Sequence, residues 1–174
     1  MKKVLFLAVL SIFGKEPSDS GIPYRQLTWG DFKGTVPGNV KNRAAESTTS
    51  LEYGWEQNGD VCSFGIVAHF YPYESFVVSK SDASLRHEQT HFRIAQIMAL
   101  KAMCALEPLQ GGSLRAIPQA DQIYRKYCRL KKDMEILFDQ ETNHSLNVPA
   151  EQKWELKIST ELLNLDTLSP KKHG

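Results

Sequence analysis

Leu85-Arg86-His87-Glu88-Gln89-Thr90-His91-Phe92-Arg93-Ile94-Ala95 begins a run that reaches Cys104 without Gly or Pro and carries apolar residues on more than one side. Such a run predicts a helix buried around most of its circumference rather than one lying on a surface. Ser81 or Asp82 is placed to cap it, because a short polar side chain can accept from an otherwise unpaired backbone N–H. Pro108 and Gly111-Gly112 end it, and Pro118 suits the first turn of a second helix, where no N–H is needed. In that long helix Ala120, Ile123, Tyr127, Leu130, Met134 and Leu137 step by three and four, a stripe facing a partner. The short connection makes the two helices antiparallel neighbours. Asn147 and Pro149 open a third helix, in which Trp154, Ile158, Leu162 and Leu165 keep helical spacing.

Upstream the apolar period changes to two. Leu51, Tyr53 and Trp55 alternate with polar residues, Asn58-Gly59 marks a turn, and Cys62, Phe64, Ile66, Ala68 and Phe70 alternate again, the pattern of a β-hairpin. With Asn58-Gly59 at the tip, Trp55 faces Cys62, Tyr53 faces Phe64 and Leu51 faces Ile66, so both apolar rows share one sheet face. Ser75 to Ser79, with Phe76, Val77 and Val78, suits a third strand. Residues 15 to 47, rich in Ser, Gly, Pro and Asn, read as an irregular arm anchored by Leu27, Trp29 and Phe32. Strands followed by helices put the chain in the α+β class: a small antiparallel or mixed sheet packed on the buried helix, with the second long helix antiparallel to it.

A length of 174 residues with 41% hydrophobic and 24% charged side chains describes one ordinary globular domain. The 21 basic and 20 acidic side chains nearly cancel, which gives no broad attraction to nucleic acid or anionic membranes. Lys2 and Lys3 precede an apolar stretch from Val4 to Leu10, continued by Ile12 and Phe13 and followed by polar Lys15 to Ser20. The stretch is too short to span a bilayer and reads as a signal peptide over residues 1–14, with no A-x-A to fix the cleavage point. The expected location is periplasmic or secreted, with no membrane span once the signal is removed. Residues 15–168 form the single domain and residues 169–174 a flexible tail.

His87 and His91 lie one turn apart and share a helix face. Two imidazoles at that spacing can reach one Zn2+, and Glu88 between them is angled to act as general base on water beside the metal. A catalytic zinc takes three protein ligands and keeps a place for water, so a third ligand comes from elsewhere. Asp139, Glu141 and His144 follow the second helix; extending its stripe from Leu137 reaches Glu141 and then His144, while Asp139 lies about 200° around the axis. Cys104 beside Cys128 would set His91 next to position 141, about 20 Å along the helix pair. His144 is the expected third ligand, with Glu141 in reserve. The same register makes Cys104 and Cys128 the expected disulfide in an oxidising compartment, two reduced cysteines being the alternative. Cys62 is expected in packing, and neither His69 on the opposite strand face nor His173 in the tail is an expected ligand.

The motif with Phe92 and Ile94-Ala95 after it resembles the bacterial uncharacterised-domain family 922, described as zinc-dependent proteases. Leu27-Thr28-Trp29 with Asp31-Phe32-Lys33-Gly34 is similar to that family's opening signature, and Ala44-Ala45 before an alternating strand fits its next block. Phe138-Asp139 with Thr142, His144, Gln152 and Trp154 is similar to its C-terminal block. The resemblance runs in order over residues 24 to 165, with Ser145 where the family has glycine and Phe138 in place of tyrosine. It implies a zincin-like fold and an exported protein, and gives weight to Asp139 as a residue that orients a ligand histidine. Helix-terminal hydrogen bonding is the alternative for Asp139 and Thr142.

The expected activity is therefore zinc-dependent peptide hydrolysis of a peptide or protein substrate, with metal on His87, His91 and His144. Glu88 takes a proton from water and returns it to the leaving amine. Tyr71, Tyr73 and Arg86 are nearby options for an oxyanion donor, and Ser75 to Ser79 is an edge that could pair with an extended substrate. Three other readings compete: a zinc-binding scaffold of the cell envelope without turnover, a zinc amidase acting on cell-wall peptide, and a metal-free structural protein.

Overall fold

The computed structural model describes residues 21–40 and 43–168; the expected signal peptide and C-terminal tail lie outside the described residues. The elements in chain order are β1 (Ile22–Pro23), β2 (Ala45–Glu46), β3 (Thr49–Asn58), β4 (Val61–Phe70), β5 (Phe76–Val77), α1 (Asp82–Leu106), α2 (Ile117–Thr142) and α3 (Val148–Leu168). Short 3-10 turns occupy Trp29–Asp31, Glu107–Leu109 and Leu114–Ala116. The strands make an antiparallel sheet in the order β1-β4-β3 and a separate antiparallel pair of β2 with β5. The class is α+β, and among the described residues no helix is long and apolar enough to cross a membrane.

The hairpin forms with its register displaced by two residues from the expected one: Trp55 pairs with Phe64, Tyr53 with Ile66 and Leu51 with Ala68. The tip is responsible. Asn58 pairs with Val61, so the loop residues are Gly59-Asp60, and Gly59 sits at φ 63°. A glycine at the first loop position suits a type II′ connection, whereas the expected register required Asn58 there. A displacement of two leaves every side chain on its original face, so Leu51, Phe64, Ile66 and Ala68 still enter the core. The expected third strand shrinks to Phe76–Val77 and pairs with β2. The arm is less irregular than its composition suggests, because it supplies β1, β2 and the turn at Trp29–Asp31.

α1 is enclosed from two directions, which is why its apolar residues do not fall on one stripe. Phe92, Ala95, Met98, Ala99 and Ala102 meet the sheet. Ile94 and Ile97 meet Phe138 of α2 with Trp154 and Ile158 of α3. Ser81 caps the helix, its Oγ accepting from the Ser84 N–H at 3.0 Å. Buried Gln89 ties the arm to the helix: Oε1 accepts from Leu27 N–H at 2.6 Å, and Nε2 donates to the Arg25 carbonyl at 3.3 Å.

The arm is also fixed at Asp31 and Gly34. The Asp31 carboxylate accepts from the Thr28 N–H at 2.7 Å and pairs with Arg25. Burial pushes its pKa upward most strongly, but the Arg25 and Thr28 hydrogen bonds outweigh it and hold the group below its usual value. Gly34 donates to the Ser75 carbonyl at 2.8 Å, and a Cβ at residue 34 would meet the Ser75 and Tyr73 carbonyl oxygens at 2.8 Å. Gly34→Ala is therefore expected to destabilise the fold by about 1–3 kcal/mol, read as a lower midpoint in urea unfolding at unchanged slope.

Ala120, Ile123, Tyr127 and Met134 of the expected α2 stripe pack on the core, but Leu130 and Leu137 do not. Leu130 and Leu137 are 40% and 44% exposed, while Ala120, Lys131, Phe138 and Thr142 are buried. Lys131 is the reason. Its Nζ donates to the Thr49 carbonyl and to Glu135 Oε2, each at 2.8 Å, so a charged side chain belongs to the packed face. The expected disulfide does not form: Cys104 and Cys128 are free, the former exposed, while Cys62 is fully buried in the core.

Candidate metal centre

His87, Glu88 and His91 lie in α1, and all three line an open cleft. Its opposite walls are the extended residues around β2, including Ala45 and Thr48, and the face of α2 bearing Lys131, Glu135 and Asp139. The centre of the cluster is Asp139 Oδ1. It lies 3.2 Å from His87 Nε2, 3.0 Å from His91 Nε2 and 3.6 Å from His144 Nδ1. Ligand atoms held tetrahedrally at about 2.0–2.1 Å from one zinc stand roughly 3.3 Å apart, so each spacing to Asp139 is near that of a shared coordination sphere, while His91 falls outside the group whose ligand atoms all lie close together. The donor chemistry fits as well, since imidazole nitrogens and a carboxylate oxygen are ordinary zinc ligands. Side-chain ligand atoms of His87, Asp139 and His144 all fall within 4.8 Å of one another.

Electrostatics favour a cation at this point. His87 Nδ1 lies 2.6 Å from Glu151 Oε1 while Nε2 faces Asp139. A neutral ring that donates from Nδ1 offers a lone pair at Nε2, which would oppose the lone pairs of Asp139 unless a proton or another cation stood between them. Burial is the largest influence on His87 and lowers its pKa. Hydrogen bonds to Asp139 and Glu151, together with the nearby charges of Glu88 and Glu151, outweigh burial and raise it to about 9. Burial likewise acts most strongly on Asp139 and raises its pKa, yet the two histidines hold it well below the usual carboxylate range.

Glu88 is 4% exposed, lines the cleft and makes no hydrogen bond through its carboxylate among the described residues. Behind the two α1 histidines lies Phe138. It stacks on His87 with centroids 4.5 Å apart at 24°, and stands edge-on to His91 at 5.1 Å. Phe138→Ala is expected to cost about 3–5 kcal/mol of stability, because it empties a fully buried position and frees both imidazole planes; chemical unfolding of the metal-free protein measures it.

His144 reaches the cluster by a route that helical extrapolation does not describe. α2 ends at Thr142, and Asn143, His144 and Ser145 follow with φ of 47°, 50° and 74°. This left-handed turn folds back on the helix, with His144 N–H donating to the Asp139 carbonyl at 3.1 Å. Each non-glycine residue there costs about 1 kcal/mol or more. Ser145 occupies a conformation that glycine would adopt freely, at the position where the resemblance led us to expect glycine.

Comparison with protein-family models, curated proteins and solved structures finds no match to this chain. The remaining site expectations divide cleanly. His87, His144 and Asp139 come within 4.8 Å of one another, and His91 reaches the group through Asp139, 3.0 Å away. Glu141 does not: its side chain turns away to accept from the Trp154 indole N–H at 2.7 Å. Tyr71, Tyr73 and Arg86 are absent from the cleft lining, and Tyr71 instead donates to Glu52 at 2.5 Å. His69 lies 2.9 Å from Glu52 on that other side. Sequence reasoning missed Glu135 and Glu151. Lys131, Glu135 and Asp139 are spaced by four, a charged row on one helix face that could have marked α2's working side. No comparable pattern announces Glu151.

Proposed function

We propose that this protein is an exported zinc-dependent metallopeptidase of zincin-like fold, its zinc held by His87, His91 and His144. The observation that carries the reading is the gathering of three imidazole nitrogens around Asp139 Oδ1, beside a cleft-facing Glu88. Zinc bound there supplies Lewis acidity and brings the pKa of water near 7. Glu88 accepts a proton from water at its carboxylate and delivers it to the departing nitrogen, serving first as base and then as acid. Asp139 keeps negative charge beside the ligand histidines.

An extended substrate lies along residues Arg43 to Thr49, which line the cleft, rather than along β5, which pairs with β2 and does not line it. The ordered sequence blocks resembling the zinc-protease family support the same reading, and the basic then apolar start, Lys2-Lys3 before Val4 to Leu10, supports export.

Elemental analysis of purified protein combined with a peptide-library digest tests the proposal. The expected outcome is one zinc per chain with cleavage of internal peptide bonds. Cleavage confined to cell-wall fragments would make the protein an amidase, and bound zinc without turnover on either would make it a scaffold. Absence of zinc from protein purified without chelator and resupplied with metal would refute the metal centre itself.

A further inference from the structure

α3 touches the metal centre through one acidic side chain. Glu151, in the first turn, sets Oε1 2.6 Å from His87 Nδ1, a contact between residues 64 positions apart. The other ring nitrogen of His87 faces Asp139 Oδ1 at 3.2 Å. Phe138 fixes the plane of that ring, and α3 is held to the same wall by Trp154, edge-on to Phe138 at 5.4 Å. Ring plane, ring direction and the docking of α3 are thus set by one connected group.

We propose that Glu151 is a positioning residue of the metal centre: it accepts the Nδ1–H of His87 and holds the ring in the tautomer whose Nε2 lone pair faces the site. The proposal rests on the zinc reading above. A neutral imidazole carries its proton on one nitrogen only, and the protonated nitrogen cannot ligate. A carboxylate behind Nδ1 selects the useful tautomer and makes Nε2 a better donor. Among the described residues His91 has no equivalent, since its Nδ1 lies 4.0 Å from Glu135, beyond hydrogen-bonding reach. The orientation of His87 therefore depends on a helix that follows it by some sixty residues, and α3 is part of the site rather than only its support.

A plainer role is available to Glu151, because an acidic side chain in the first turn gains from the partial positive charge of a helix N-terminus. That role alters stability but not metal affinity. The test is zinc affinity of the full chain, measured by competition with a chromophoric chelator, alongside thermal unfolding of the metal-free protein. Glu151→Ala is expected to bind zinc 10–100-fold more weakly. Glu151→Gln, which retains an acceptor oxygen, should recover most of the loss, and Glu155→Ala on the same helix should change nothing. Long-range 1H–15N NMR of the zinc-loaded wild type should place the His87 proton on Nδ1, a readout independent of whether any variant folds. A proton on Nε2, or Glu151→Ala with wild-type affinity while the wild type binds zinc tightly, would overturn the proposal and leave the zinc reading standing. A wild type that fails to bind zinc would overturn both.

Discussion

Glu88→Gln should abolish peptide hydrolysis and leave zinc in place. The substitution keeps the size of a side chain that is 4% exposed, so it opens no cavity, and the carboxylate it removes makes no hydrogen bond among the described residues. Stability should therefore change little. What disappears is the carboxylate charge beside His87 and, with it, the group that takes a proton from water and returns it to the leaving nitrogen. General acid–base catalysis is worth about 10²–10⁴-fold, and here one carboxyl group serves in both directions, so the loss should lie toward the upper end. Measuring kcat/KM on a cleaved peptide together with zinc content separates the possibilities. A variant that loses zinc with activity would show Glu88 to be part of the metal's support, and one that keeps activity would remove it from the mechanism.

The distribution of correct and incorrect expectations has a physical pattern. α1 was legible because its signals agree: a Ser81 cap, an unbroken run, and apolar residues on faces that turn out to meet both the sheet and the other helices. The hairpin faces were legible because alternation survives a displacement of two residues, whereas the register depended on whether Asn58 or Gly59 opened the loop. The α2 stripe is right at Ala120, Ile123, Tyr127 and Met134 and misleads elsewhere for a chemical reason. Lys131 is buried with its charge compensated by Glu135 and the Thr49 carbonyl, so a reading that counts apolar residues favours Leu130 and Leu137, which face outward. Extending that apolar row turns Asp139, which is adjacent to Phe138 on the inward side, away from the site and turns exposed Glu141 toward it. His144 was reached through a helical step that the chain does not take, since the backbone has already become left-handed at Asn143. Contacts with α3 were beyond reach because nothing local in Glu151 encodes a partner 64 residues away.

Replacing ligands one at a time gives the other large effect, and it distinguishes the residues that gather around Asp139 from those that only neighbour it in sequence. A zinc site worth about 10 kcal/mol, shared among three imidazoles, loses roughly 3 kcal/mol with each one removed. At 1.4 kcal/mol per tenfold, His87→Ala, His91→Ala and His144→Ala should each weaken binding by about 10²-fold or more. The first two also uncover Phe138, so unfolding of the metal-free proteins must be measured beside affinity. His144 is half-buried and lies on the surface turn, which makes its replacement the cleaner comparison. Glu141→Ala should leave zinc affinity unchanged and cost about 1–3 kcal/mol of stability, the worth of its bond to the buried Trp154 indole. Asp139→Asn is the deciding variant. If Asp139 only orients the histidines, affinity should fall 10–100-fold, and His144→Ala should be the more damaging change. The reverse order would give Asp139 the third ligand position and leave His144 as its neighbour. Both outcomes are readable by chelator competition, and each corresponds to a different atom completing the set begun by His87 and His91.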